Sequence, residues 1–170
     1  MVYTIFMPEI IVVAHNIRSI HNVGAIFRTS EGFGVAKIIL SGYTPYPRLE
    51  SGDTRLPHIA DKLTEQIHKT ALGAETMVPF DYQETPDLER FKADGYHVVG
   101  LEQDERSVLL PDYTPPDKLV LLLGEEVHGI THDLLDQCDD LIEIPMQGQK
   151  ESFNVSVAAG IALYALSSGK

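Results

Sequence analysis

Short apolar runs alternate with stretches of helical periodicity along this chain. A continuous apolar run predicts a strand that is covered on both faces of a sheet. The predicted strands are 10–14, 35–40, 77–80, 96–101, 120–123 and 141–146. The predicted helices are 22–32, 58–70, 85–93 and a last one from Ser152, where Val157, Ile161 and Tyr164 recur at helical spacing. This alternation predicts an α/β fold with a mostly parallel sheet flanked by helices, and a single domain over 1–170.

Two predicted strands end in small or polar residues shortly before the last helix. The strand 120–123 leads into Gly124-Glu125-Glu126, and the strand 141–146 ends beside Gln147-Gly148. Ligand crevices of α/β proteins lie at the carboxyl ends of parallel strands. The stretch 119–165 therefore contains the expected site. The long loop 41–57 contains three prolines, and a loop of this length is usually functional or mobile.

The composition is that of a globular protein: 170 residues, 44% of them hydrophobic. The single cysteine, Cys138, forms no internal disulfide, which favours a reducing compartment, and a buried inert thiol is expected there. No apolar segment approaches the length of a membrane span, and Met1–Ile11 lacks the basic start of a signal peptide. These features predict a cytoplasmic protein without a membrane contact.

The charge is unevenly distributed along the chain. The net charge is −12 and the isoelectric point is near 4.8, which disfavours non-specific binding to a polyanion. However, residues 1–70 carry seven basic and six acidic side chains, whereas residues 71–145 carry four basic and eighteen acidic ones. A polyanionic partner is therefore expected to meet the amino-terminal part.

Asn22 and Arg28 form the first candidate cluster. Asn22 is a plausible N-cap, and Arg28 leans back over Gly24 and Ala25, which leave open space for a phosphate above the first turn. The plainer alternative is that Asn22 only caps the helix while Arg28 pairs with Glu31 or solvent. These residues alone favour that alternative, because capped helices are common.

Two further clusters lie in the last third of the chain. Glu125 and Glu126 suit the hydroxyls or amine of a small ligand, or they are solvated carboxylates in a turn. His128 and His132 lack a third ligand at zinc spacing, so no metal site is expected. The other cluster opens the last helix and comprises Ser152, Asn154, Ser156 and Gly160. Ser152 can be a simple N-cap, and Gly160 indicates close packing of this helix. The motifs GxGxxG, GxxxxGK[ST], GxSxG and HExxH are absent from the sequence.

Three segments together resemble the SpoU (TrmH-like) branch of the SPOUT RNA methyltransferases. They are NIRSIHNVGAIFRT (16–29), LLLGEEVHGI (121–130) and IEIPMQGQKESFNVSVAAGIALY (142–164), in the family's order. The resemblance implies a deep trefoil knot within about 119–168, an exception to the rule that chains are unknotted. It also implies an S-adenosylmethionine pocket and a homodimer that packs the first and last motif helices across its two-fold axis. The cofactor positions that match the family are Leu101, Gly124, Ile144, Met146, Ser152 and Phe153.

The reaction implied by the resemblance is methyl transfer to a ribose 2′-hydroxyl of RNA. The matching polar positions are Asn22, Arg28, Glu126, Ser152 and Asn154, with Ser152 and Asn154 orienting Arg28 and the ribose. Because a guanidinium stays protonated, the expected role of Arg28 is to clamp a phosphate and polarise the hydroxyl. The RNA-binding side chains expected from the charge pattern are Arg18, Arg28, Arg48 and Arg55, with His15 and His21 as additions.

The sequence departs from the family pattern at two positions. Phe153 replaces the usual leucine and narrows the pocket, and Glu125 replaces a neutral residue. The resemblance favours tRNA as acceptor because a bare catalytic domain is similar to the family's small tRNA enzymes. Ribosomal RNA and a catalytically silent RNA- or cofactor-binding homologue are the alternatives, the latter because of the acidity.

Overall fold

The computed structural model describes residues 7–168, which are built around one seven-stranded sheet. The strands are β1 (Glu9–His15), β2 (Lys37–Ser41), β3 (Phe80–Gln83), β4 (His97–Leu101), β5 (Val108–Leu109), β6 (Lys118–Leu123) and β7 (Asp140–Glu143). Their order is β3-β2-β1-β6-β4-β7-β5, and every pairing between these strands is parallel. The predicted α/β class with a parallel sheet is confirmed. Most of the segment 1–11 examined for a signal peptide, residues 1–6, lies outside the described residues.

Helices cover both faces of the sheet. They are α1 (Ile20–Gly32), α2 (Pro57–Ala71), α3 (Leu88–Ala93), α4 (His132–Leu135) and α5 (Val155–Ser167). Buried side chains of α1, α2 and α5 share one apolar cluster, whereas those of α3 and α4 belong to the other. Within the described part of the chain, no helix is long and apolar enough to cross a membrane.

The central strands explain why the sequence reads as continuous apolar runs. In β6, Leu119, Leu121 and Leu123 enter the cluster beneath α1, α2 and α5, while Val120 and Leu122 enter the opposite cluster. Successive side chains of a strand point to opposite faces, and here both faces are buried. An alternating polar pattern is therefore not required of these strands.

Two edge segments differ from the prediction. The expected strand 77–80 is wrong: residues Ala74–Thr76 form a 3₁₀ turn, Met77 is 67% exposed, and β3 begins only at Phe80. The segment 109–117 lies outside the predicted strands and helices, but it contains the end of β5 and a 3₁₀ turn that buries Leu110. The burial of Leu110 was not predicted because the segment contains prolines, which usually indicate a loop.

The strand order places two late strands between earlier ones. β6 lies between β1 and β4, and β7 lies between β4 and β5. Because all these strands are parallel, the carboxyl ends of β4, β6 and β7 meet at one edge of the sheet. The sequence analysis expected the site at this edge of the sheet.

Candidate functional site: a pocket at the carboxyl ends of the central strands

A pocket of about 350 Å³ opens at the carboxyl ends of β4, β6 and β7, beside the start of α5. Most of the predicted site residues line it, namely Leu101, Gly124, Glu126, Ile144, Met146, Ser152, Phe153 and Asn154. Glu125, Glu143 and Glu151 also face it. The pocket therefore combines backbone groups at strand ends with several carboxylates, an environment suited to a small ligand that carries positive charge.

The turn after β6 is closed tightly on itself. Glu125 and Gly129 exchange backbone hydrogen bonds of 3.0 and 2.9 Å, and Gly129 has a positive φ of 68°. A Cβ on Gly124 would lie 2.4 Å from the carbonyl carbon of Gly129 and 2.5 Å from the nitrogen of Ile130. Only a glycine at 124 allows this backbone approach, which shapes one wall of the pocket.

Glu102 and Gln103 are pocket residues that the sequence reasoning missed. The Glu102 carboxylate accepts the backbone N–H of Ile130 at 2.8 Å, so it fixes the turn after β6. The Gln103 side chain donates to the carbonyl of Glu151 at 2.6 Å and holds the loop that precedes α5. The available signal was their position directly after the predicted strand 96–101, at the same edge of the sheet as Gly124.

Glu126 binds the beginning of α1. Its carboxylate accepts the backbone N–H groups of Arg18 at 3.0 Å and Ser19 at 3.2 Å, and the side-chain amide of Asn22 at 3.1 Å. Partial burial acts to raise the pKa of Glu126, but these hydrogen bonds to the ionised form outweigh it, and the pKa is lowered from 4.5. The charged Glu126 carboxylate thus connects the segment 121–130 to the segment 16–29.

The predicted N-cap of α1 is wrong. Ser19 is the cap, and its hydroxyl accepts the backbone N–H of Asn22 at 3.3 Å. Asn22 lies inside the first turn, where its side chain is directed to Glu126 and Asn154. The local sequence allows either Ser19 or Asn22 to cap the helix, since both side chains are good N-caps. The contact with Glu126, more than 100 positions away, selects Ser19.

The Glu126→Gln variant should lower the stability of the folded protein by about 1 kcal/mol at neutral pH, because a neutral amide is a weaker acceptor than a carboxylate. The sign with pH follows from the lowered pKa. The carboxylate's contribution is fully present above pH 4.5 and is lost as the pH falls through the lower folded pKa. Urea unfolding at pH 7 and at pH 3.5 should therefore show a smaller difference between variant and wild type at the acidic pH. An equal difference at both values would contradict this account.

Asn154, not Ser152, caps the last helix. The Asn154 side-chain oxygen accepts the backbone N–H of Ser156 at 2.9 Å, and its amide donates to the Asn22 side chain at 3.1 Å. The expected helix start at Ser152 and the expected strand end at Met146 are both wrong, because β7 stops at Glu143 and residues 144–154 form the pocket loop. Ser152 lies in this loop and lines the pocket.

Arg28 lies outside the pocket of its own chain. Its side chain is exposed and forms no hydrogen bond or ion pair with any residue from 7 to 168, Glu31 included. The expected open space at Gly24 is wrong: a Cβ there would lie 2.1 Å from the Thr70 hydroxyl, so α2 fills it. Within residues 7–168, Arg28 is therefore an unpaired cation on the surface of α1.

The other basic candidates differ in how strongly their side chains are engaged. Arg18 forms an ion pair of 2.5 Å with Glu125, although 60% of its side chain is exposed. Arg48 pairs with Asp61 at 2.9 Å in an exposed position. Arg55 is mostly buried: it binds Asp53 and the carbonyl oxygens of Tyr46 and Pro47.

The candidate histidine and cysteine side chains differ in their exposure and in their partners. His15 is half-buried beside the Ser41 hydroxyl, and burial lowers its pKa, while His21 is exposed at the start of α1. His128 pairs with Glu125 at 2.7 Å. Cys138 is largely covered, and burial raises its pKa to about 11, as expected for an unreactive thiol. Among residues 7–168, no three His, Cys, Asp or Glu side chains are grouped to hold a metal ion.

A comparison with known protein families identifies the family of this chain. Residues 9–164 match the model of the SpoU rRNA Methylase family. The chain belongs to this family. All three segments that resemble SpoU methyltransferases lie within the matched residues, and two of them supply most of the pocket wall.

Relatives in the SpoU family include enzymes named for different RNAs. The chain is 33% identical over 162 residues to the tRNA (guanosine(18)-2'-O)-methyltransferase TARBP1 of Mus musculus, covering 93% of this chain and 9% of that protein. It is 30% identical over 161 residues to the 23S rRNA (guanosine-2'-O-)-methyltransferase RlmB of Coxiella burnetii, covering 92% and 57%. This chain thus spans less than two thirds of these relatives.

A solved rRNA methyltransferase structure matches the fold. The AdoMet-bound rRNA methyltransferase from Sinorhizobium meliloti superposes with a TM-score of 0.76 at 26% identity. The match covers 94% of this chain and 56% of that one. The parallel sheet and its flanking helices therefore share the fold of that structure.

Proposed function

We propose that this chain is an S-adenosylmethionine-dependent methyltransferase that acts on a ribose 2′-hydroxyl of RNA. The observation that carries the proposal is the convergence of the family's segments on one place. The Gly124 turn, the loop 144–154 and the cap of α5 line one pocket, and Glu126 and Asn154 join it to Asn22 of the first segment.

The pocket fits S-adenosylmethionine in size and in chemistry. Its volume of about 350 Å³ is in the range of small-molecule sites, and its wall includes Leu101, Gly124 and Ile144 at the strand ends. The nearby carboxylates of Glu125 and Glu143 favour a ligand that carries a sulfonium cation. When bound, this cofactor supplies a methyl group that is activated for attack by an oxygen nucleophile.

We place the catalytic role of Arg28 at the pocket of a second copy. Arg28 is exposed, unpaired within residues 7–168 and absent from its own pocket wall. A guanidinium stays protonated and offers several N–H donors, so it would clamp a phosphate and polarise the ribose hydroxyl. Asn22, Glu126, Ser152 and Asn154 would fix the backbone and the ribose around the reacting oxygen.

An apolar face on α5 supports a homodimer. Val157 is 49% exposed and Tyr164 is 65% exposed, on the same face as the half-buried Ile161. Among residues 7–168, a Cβ on Gly160 would meet only a Thr29 methyl at 3.5 Å, an ordinary contact, so packing within this part of the chain does not require glycine there. A second copy that covers this face would bring α1 and α5 to the two-fold axis.

The finer features of the fold are part of the same proposal. We propose that the chain, 1–170, acts as one domain and that a trefoil knot lies within about 119–168. The insertion of β6 and β7 between earlier strands supports such threading. The cytoplasm, which holds both RNA and the cofactor, is the proposed compartment.

The proposed acceptor is tRNA, and rRNA is the second candidate, since the relatives act on both classes. Arg18 and Arg48 are the proposed RNA-binding side chains besides Arg28, whereas Arg55, which was predicted with them, is mostly buried and bound to Asp53. Arg18 is the better placed of the two, because it lies next to the pocket residue Glu125 and stays largely exposed.

The direct test is transfer of a tritiated methyl group from the cofactor to RNA. We expect label in total tRNA from cells that lack this protein, and nuclease digestion should release it as a 2′-O-methylated nucleoside. Label in rRNA instead would assign the second acceptor. Calorimetry with the cofactor gives an independent readout. Cofactor binding without label in either RNA would leave a silent binding protein, and absence of both would overturn the proposal.

A further inference from the structure

Tyr43 is an exposed aromatic side chain at the carboxyl end of β2. It is 53% exposed, and it follows the strand end at Ser41 by two residues. A tyrosine ring is large and flat, so it buries much apolar surface when a partner stacks on it. Its position on the same edge of the sheet as the pocket makes it a candidate for contact with the substrate.

The backbone beneath Tyr43 is firmly held. The Asn16 side chain accepts the Tyr43 backbone N–H at 3.2 Å, and both Asn16 and Gly42 have positive φ values, 58° and 65°. A Cβ on Gly42 would lie 1.9 Å from that Asn16 oxygen. The Thr44 hydroxyl donates to the carbonyl of Ala14 at 3.0 Å. The ring is thus presented from a preformed turn, so little ordering would be needed on binding.

Arg18 connects Tyr43 to the pocket. Its guanidinium carbon lies 6.0 Å from the centre of the Tyr43 ring, and its Nη2 lies 2.5 Å from the Glu125 carboxylate. Glu125 lines the pocket. The Tyr43 hydroxyl is the largest of the influences that raise the Arg18 pKa, followed by the Glu125 charge. An exposed ring and an exposed cation therefore lie side by side at the rim.

A second arginine–tyrosine pair shows what an internally used one looks like. The Arg55 guanidinium lies 3.6 Å from the centre of the Tyr46 ring, and Tyr46 stacks on Tyr82 at 4.1 Å. Arg55 also binds Asp53 through both carboxylate oxygens. Arg55 and Tyr46 therefore stabilise the loop 42–56, whereas Arg18 and Tyr43 both remain exposed.

We propose that Tyr43 and Arg18 form a platform on which an unpaired RNA base stacks beside the ribose that is methylated. This rests on the proposed function and adds to it the group that holds a neighbouring nucleotide. Aromatic rings and guanidinium planes stack on bases of unpaired RNA, and a cation next to the ring also attracts the phosphate. The platform would engage single-stranded RNA or a loop, not the interior of a duplex.

Steady-state kinetics with RNA tests the platform. Tyr43→Ala should raise KM for the methylated RNA by roughly ten- to a hundredfold, the range expected for loss of one stacked base. Tyr43→Phe, which keeps the ring, should stay within about threefold of wild type. The affinity for S-adenosylmethionine should not change in either variant. Met77→Ala is the matched control, since Met77 is 67% exposed on the turn before β3.

Fluorescence gives a direct readout of stacking. The chain contains no tryptophan, so Tyr43→Trp introduces a single indole at the platform. Addition of a single-stranded oligoadenylate RNA should quench its emission, because a stacked purine quenches indole. Met77→Trp, a single indole away from the pocket, should show no quenching. Adding the same sequence as a duplex with oligouridylate should quench the Tyr43→Trp emission much less.

The outcomes separate this inference from the proposed function. If wild type methylates RNA and Tyr43→Ala does so with unchanged KM, the platform is overturned while the function stands. The same holds if Arg18→Ala weakens RNA binding but Tyr43→Ala does not, since charge alone would then explain the contact. If wild type transfers no methyl group to any RNA, the function itself fails.

Discussion

Gly124→Val is expected to abolish binding of S-adenosylmethionine. The Cβ at this position would lie 2.4 to 2.6 Å from three backbone atoms of Gly129 and Ile130, distances that neither side can relieve by rotating a side chain. The turn must therefore open, and the pocket wall moves with it. We expect an affinity loss of about 100-fold or more, together with a loss of about 1–3 kcal/mol in stability.

Calorimetry with the cofactor and thermal unfolding measure the two effects of Gly124→Val separately. Gly148→Val is the matched control: Gly148 lies in the pocket loop, but a Cβ there would meet no atom of the described residues within 4 Å. That control should bind the cofactor within about threefold of wild type. Should Gly124→Val fail to fold, Gly124→Ala introduces the same Cβ with less bulk. Wild-type affinity in a folded Gly124 variant would place the cofactor elsewhere.

Arg28→Ala is expected to abolish methyl transfer while leaving the protein intact. Removal of the group that clamps a phosphate and polarises the hydroxyl should lower kcat/KM by about 100-fold or more. Cofactor affinity and the unfolding temperature should be unchanged, because Arg28 makes no polar contact within residues 7–168 and lies outside its own pocket. Arg28→Lys should recover only part of the activity, since a lysine cannot bind a phosphate in the two-pronged way of an arginine. A fully active Arg28→Ala variant would exclude the assigned role.

Mixing the two inactive variants tests where Arg28 acts. Arg28→Ala retains an intact pocket, and Gly124→Val retains the arginine. If Arg28 serves the partner's pocket, co-expressed variants form a mixed dimer with one complete site, and activity returns. If Arg28 serves its own pocket, no combination is complete and the mixture stays inactive. Each variant expressed alone provides the baseline.

The sequence predicted the central part of the fold well because the information there is local. Each of the strands β1, β4 and β6 is an apolar run bounded by loop residues, and burial on both faces makes such runs unambiguous. The edges were predicted less well. The strand near Met77 was displaced, and the packing of Leu110 was missed, because edge segments are short and their burial depends on neighbours distant in sequence.

The candidate site divides in the same way. The rule that ligands bind at strand ends located Gly124, the family resemblance added Ile144, and the same rule applied to the strand 96–101 would have found Glu102. It could not reveal that Glu126 binds the backbone of Arg18, 108 positions earlier, or that this contact starts α1 at Ser19. Such a hydrogen bond requires both partners to be in place, and no periodicity in either segment encodes it.

By itself, the sequence determined the fold class, the edge of the sheet where the site lies and the family resemblance, because these follow from local hydrophobic order and from short motifs. Only the tertiary structure decided which polar groups meet. It directs Asn22 to Glu126 and Asn154, commits Arg55 to Asp53, and leaves Arg28 without a polar partner among residues 7–168. Hydrogen bonds and ion pairs act over a few ångströms, so they are set by how distant segments pack and not by their order along the chain.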